Sequence, residues 1–94
     1  MAEVIWRVDG RPLAWRSFGD EYVVYNPSTG ETHLLDLFAG EILKLVEQEP
    51  GSVNDLVQRV VVALDVGETA DLASTVRELI ARFDQLGLIE SAAA

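Results

Sequence analysis

A hydroxyl and an imidazole, Ser28 and His33, stand closest to a nucleophile and its base in this chain. Such a pair would need to be held within hydrogen-bond reach, with a third group orienting the imidazole. The spacing instead puts Ser28 in a Pro/Ser/Thr/Gly loop and His33 in a strand. His33 is the single histidine and there is no cysteine, so no second imidazole or thiolate can share a metal ion. Carboxylates are plentiful, but Glu47 and Glu49 lie two apart on a helical segment and do not face each other. Gly10, Gly19 and Gly30 are isolated turn glycines, not a phosphate-cradling loop. No catalytic residue, metal site or cofactor is therefore expected, and the chain reads as a non-enzyme.

The elements that would position these residues follow from the apolar spacing. Tyr22–Tyr25 and Glu31–Leu35 are β-rich runs around the loop Asn26–Gly30, the pattern of a hairpin. Leu13–Phe18 reads as a preceding strand, with Leu13, Trp15 and Ser17 on one face, joined through a Gly19-Asp20 turn. Asp36 can cap a first helix with the stripe Phe38, Ala39, Ile42, Leu45 and Val46, ended by Pro50-Gly51. Ser52, with Asp55 three residues on, opens a second helix with Val53, Leu56, Val57, Val60, Val61 and Leu64 on one face. Asp65-Val66-Gly67 breaks it. A third helix starts near Thr69 or Asp71, carries Leu72, Val76, Leu79, Ile80, Phe83 and Leu86 inward, and stops at Gly87. Leu88 and Ile89 should fold back onto the core.

This predicts one α+β domain, with a three-stranded antiparallel sheet followed by three helices. Its core should contain Tyr25, Leu35, Phe38, Ile42, Leu56, Val60, Leu79 and Phe83. Residues 1–11 read as an edge strand or an ordered arm, residues 12–89 as the domain, and residues 90–94 as a frayed tail.

Composition narrows the partners. The 94 residues carry 16 acids against 7 bases, a net charge of −9, and residues 31–94 alone hold twelve acids and four bases. Such a surface repels nucleic acid and anionic membranes and favours neutral or cationic partners. The absence of cysteine suits a reducing cytoplasm, and no stretch reads as a membrane span or a signal sequence.

The strings Trp15-Arg16, Gly19-Asp20-Glu21-Tyr22-Val23-Val24-Tyr25 and Ser28-Thr29-Gly30-Glu31-Thr32-His33-Leu34-Leu35-Asp36, with the closing Leu86-Gly87-Leu88-Ile89, resemble the PqqD-like peptide chaperones over residues 12–89. These share their fold with the leader-binding domains of enzymes that modify ribosomally made peptides. The hairpin is most similar to the subgroup encoded beside HPr kinase-like proteins. The resemblance implies a winged-helix-like fold that binds a precursor peptide and presents it to a modifying or kinase-like enzyme. The peptide's leader would add as a strand along Glu31, Thr32, His33, Leu34 and Leu35. The third helix would form the opposite wall through Ala73, Val76, Arg77 and Ile80. For the apolar members of that wall, plain core packing is the competing role.

Two other readings are open. The helical half also looks like a winged-helix DNA-binding regulator, but residues 71–86 set Asp71, Glu78 and Asp84 against Arg77 and Arg82, where a DNA reader presents a basic helix. A structural subunit of a larger complex is the third.

Overall fold

In the computed structural model, which describes residues 3–92, the elements in chain order are β1 (Ile5–Arg7), β2 (Ala14–Phe18), β3 (Glu21–Asn26), β4 (Glu31–Asp36), α1 (Leu37–Gln48), α2 (Val53–Leu64), α3 (Ala70–Gln85) and β5 (Glu90–Ala92). Strands β2, β3 and β4 form the expected antiparallel sheet in that order, with Trp15 opposite Val24 and Val24 opposite His33. The three helices follow it, so the fold is α+β as the apolar periodicities imply.

Each helix begins on a side-chain cap that satisfies an otherwise orphaned amide. Asp36 accepts from the Ala39 amide, Ser52 from Asp55, and Thr69 from Leu72. In α2 the Asp55 carboxylate also accepts from the Ser52 amide, closing a reciprocal capping box. The Ser52 backbone bond first, and its hydroxyl second, hold the Asp55 carboxyl below the usual carboxylate range. A carboxyl depressed in the fold contributes stability above its unfolded value of about 4 and loses it as pH falls through the lowered value. An acid titration of Asp55→Asn followed by circular dichroism should therefore show a smaller loss of stability below pH about 4 than the parent protein.

At its far end α3 stops in a Schellman motif. Gly87 sits at φ +74 and donates to the Asp84 carbonyl, while Leu88 donates to that of Phe83. Leu88 and Phe83 are both buried, at 1% and 0% exposure, so the folded-back tail joins the core. Arg59 performs the same service for α1: its guanidinium donates to the Glu49 and Pro50 carbonyls and pins the α1–α2 corner.

The core lies between the sheet and the helices. Val24, Leu35, Ile42, Leu43, Leu56, Val60, Val76, Ile80 and Phe83 are all within 2% of full burial. Phe38 and Leu79 pack on its margin, half-buried. Tyr25 does not belong to it. It is 44% exposed, and Tyr22, Val24 and Asn26 point inward instead. The run Tyr22-Val23-Val24-Tyr25 is apolar at every position, so it carries no alternation from which to read the phase. The buried polar residue that decides it is Asn26, whose Nδ2 donates to the Gly87 carbonyl and whose Oδ1 accepts from the Ser28 amide.

The ends differ from expectation. Residues 90–92 are not frayed: β5 pairs antiparallel with β1, Ile5 opposite Ala92, and Arg7 holds Glu90 at 2.7 Å. On its other side β1 is bridged to the α1–α2 corner, where Trp6 and Gly51 exchange backbone hydrogen bonds. The first segment is thus a strand, though of a separate two-stranded ribbon and not of the main sheet. Residues 93 and 94 of the tail lie outside the described residues.

Candidate functional site

Strand β4 is one of the two edge strands of the main sheet, pairing with β3 alone as β2 does at the other edge. In an antiparallel pair, alternate residues direct their amide and carbonyl away from the partner strand, so β4 carries a row of unpaired backbone groups. Its side chains alternate too. Leu35 is 2% exposed and faces the helices, with Glu31 and His33 on the same side of the pleat; Thr32, Leu34 and Asp36 face outward. Leu34 is 57% exposed. His33 is half-buried, and its Nε2 is withdrawn from solvent with no hydrogen-bond partner among the described residues. A buried ring nitrogen with no partner is uncommon in a folded protein.

The sheet that ends in this edge is held against α1 by polar contacts that sequence reading did not anticipate. Glu47 accepts from the Leu13 amide at 2.7 Å and from Trp15 Nε1 at 2.9 Å. Tyr22 donates its hydroxyl to Glu41, and its ring meets Trp15 edge-on with centroids 5.5 Å apart. Lys44 lies over both rings, 4.1 Å from the Tyr22 centroid, besides its 3.9 Å contact with Glu41. Glu47, Lys44 and Gly40 fall on one face of α1 by their spacing. A polar residue at a helical stripe's margin, opposite an aromatic strand, was the signal available for them.

The hairpin loop docks on the end of α3 through Asn26 and Gly87. Along α3, Val76 and Ile80 are 0% and 2% exposed, so they are core residues and offer no surface of their own. Core packing therefore prevails at these two positions. Ala73 is half-buried against the core. Arg77 is exposed and lines a hollow with Val4, Trp6, Ser52, Val53 and Asn54, on the flank of α3 that faces β1 and the start of α2. The opposite flank carries Leu72, Leu79 and Leu86, spaced by seven and only half-buried. Apolar spacing alone puts all three inward, and their place at the margin of the stripe is what leaves them partly exposed.

Ser28 is exposed and its amide donates to Asn26 Oδ1, and among the described residues His33 Nε2 receives no hydrogen bond from the Ser28 hydroxyl. Among the described residues no group of three or more histidines or carboxylates converges in a way that could hold a metal ion, and no helix is long and apolar enough to cross a membrane.

The family model described as Coenzyme PQQ synthesis protein D (PqqD) matches residues 21–89, from the first residue of β3 to Ile89. The chain belongs to the PqqD family. The match takes in β3, β4 and all three helices, and leaves β2 and the β1–β5 ribbon outside it. No curated protein and no solved structure matches the chain. PqqD proteins are small accessory proteins of PQQ and peptide-derived product biosynthesis, without a catalytic role of their own, that work with a precursor peptide and a partner enzyme.

Proposed function

We propose that this PqqD-family protein captures an extended precursor peptide as an added strand on β4 and presents its leader to a modifying enzyme. The observation that carries this reading is the unpaired edge of β4, backed by a helical layer and held in place by α1. Backbone hydrogen bonds along such an edge supply affinity for any extended chain, and side-chain sites at alternate positions supply selectivity. Glu31, Thr32, His33, Leu34 and Leu35 form the docking strand. On α3 the opposite wall is made by the Leu72, Leu79 and Leu86 flank. Val76 and Ile80 support it from within, and Ala73 and Arg77 stand on its far margin. The peptide loses conformational entropy on ordering, so affinity for it alone is modest and the partner enzyme adds contacts.

The acidic third helix speaks against a duplex-DNA partner, since each phosphate contact requires Lys or Arg. The hairpin's likeness to the subgroup beside HPr kinase-like proteins makes a kinase-like enzyme the partner to test beside a peptide-modifying one. A chain without cysteine suits a cytoplasmic setting for both.

Isotope-labelled protein titrated with precursor peptides from the same gene neighbourhood tests the site. Amide shifts concentrated in residues 31–36 and 72–86 are expected, and shifts centred on α2 would overturn it. His33 gives a sharper check. Replacing a buried polar group that has no partner by an apolar one costs little, so His33→Leu should leave the melting temperature unchanged or slightly raised. Its peptide affinity should fall about threefold to tenfold, because the bound chain can satisfy Nε2. Equal affinity in the parent and variant would remove His33 from the site.

A further inference from the structure

Charge is unevenly distributed around the β4 edge. Residues 20–49 hold seven acids, Asp20, Glu21, Glu31, Asp36, Glu41, Glu47 and Glu49, against the single base Lys44. Three of the seven are engaged: Glu41 by Tyr22 and Lys44, Glu47 by Leu13 and Trp15, and Glu49 by Arg59 at 3.5 Å. The other four, Asp20, Glu21, Glu31 and Asp36, are exposed, make no ion pair among the described residues, and all belong to the β3–β4 hairpin or its turns. Glu21 stands directly opposite Asp36 in the ladder. Like charges facing across a pair of strands repel. The nearest base on the outer sheet face is Arg16, opposite Val23, which is itself opposite Leu34. Arg16 is thus two strands from the edge, on the order of 10 Å away. Asp36 also caps α1, where the helix's positive end partly offsets its charge.

The pattern along the edge is equally specific. On the outer face, exposed Leu34 is followed two residues later by Asp36, beside Glu21. A strand laid along β4 in either direction places successive outward side chains against these two positions. Resting on β4 as the docking edge, we propose that the captured segment is cationic, with an apolar residue and a Lys or Arg at alternate positions. The apolar residue packs on Leu34, and the cation lies beside Asp36, with Glu21 one strand further in adding to the attraction. A second cation is favoured at the other end of the edge, beside Glu31.

Two designed peptides of equal length test this, one repeating Val-Thr-Lys-Thr and the other Val-Thr-Glu-Thr, so that valine and the charged residue fall two apart on one face, each titrated into the labelled protein. The lysine peptide should shift β4 amides and bind at least about tenfold more tightly at low salt, with the gap closing at about 1 M salt. The triple variant Glu21→Gln, Glu31→Gln, Asp36→Asn should erase about tenfold of that preference. It should melt like the parent, because asparagine caps a helix as well as aspartate does. Equal or tighter binding of the glutamate peptide at β4 would overturn the charge rule while leaving strand addition standing. Failure of both peptides to move any β4 amide would overturn both. Lysine-peptide shifts spread over α2, with no concentration on β4, would mark the attraction as a property of net charge and overturn the assignment to this edge.

Discussion

Val60→Asp should abolish folding. Val60 is 0% exposed, in the middle of α2 and in the cluster with Leu56, Ile42 and Phe83. An ionised carboxylate there would have no basic partner: Arg59, the next residue, is turned to the α1 corner and occupied by two carbonyls. Burying such a charge costs several kcal/mol. A domain of this size has roughly 5–10 kcal/mol in total, so the variant should lack a cooperative melting transition by circular dichroism. A melting curve like the parent's would place the α2 stripe outside the core.

Gly40→Ala has the second-largest expected effect, and its sign runs against helix propensity. In an exposed helix interior, alanine for glycine gains about 1 kcal/mol. At position 40 a Cβ would lie 2.1 Å from Tyr22 Cδ2 and 2.7 Å from Cε2. The ring cannot swing aside freely, because Glu41 holds its hydroxyl, Trp15 meets it edge-on and Lys44 covers it. Overpacking of this kind costs about 1–3 kcal/mol, so a net loss of up to about 2 kcal/mol in denaturant unfolding is expected. In a Tyr22→Ala background the same change should turn stabilising, and the cycle of four proteins isolates the contact. A raised melting temperature for Gly40→Ala alone would show that the ring relaxes at little cost.

Legibility in the sequence followed interaction range. Caps, the Gly87 stop and the three helical stripes depend on residues within about one or two turns, and all appear where local rules put them. The face of β3 depends instead on Asn26 meeting Gly87, 61 residues away, and nothing in Tyr22–Tyr25 signals it. The β1–β5 pairing is not legible locally, because Glu90-Ser91-Ala92 has weak strand propensity and its partner is 83 to 87 residues away in the chain. In the candidate site, the edge strand β4 is legible as a hairpin arm. The graded burial along α3 is not, since a helical stripe shows which residues are apolar but not which lie at its centre and which at its margin. Val76 and Ile80 sit at the centre of that stripe, Leu79 and Leu86 at its edge, and only packing separates them.

Because Ile5–Arg7 and Glu90–Ala92 lie side by side in opposite directions, the two ends of the described fold leave it at the same place, within about 5 Å of each other. A unit with adjoining ends can be grafted into a surface loop of a larger protein through two short connections, its own strands and helices uninterrupted. The ribbon would then work as a plug-in joint, held by backbone pairing and by Trp6 at the α1–α2 corner. β4 belongs to the other sheet, so its edge would remain open to a peptide after such a graft.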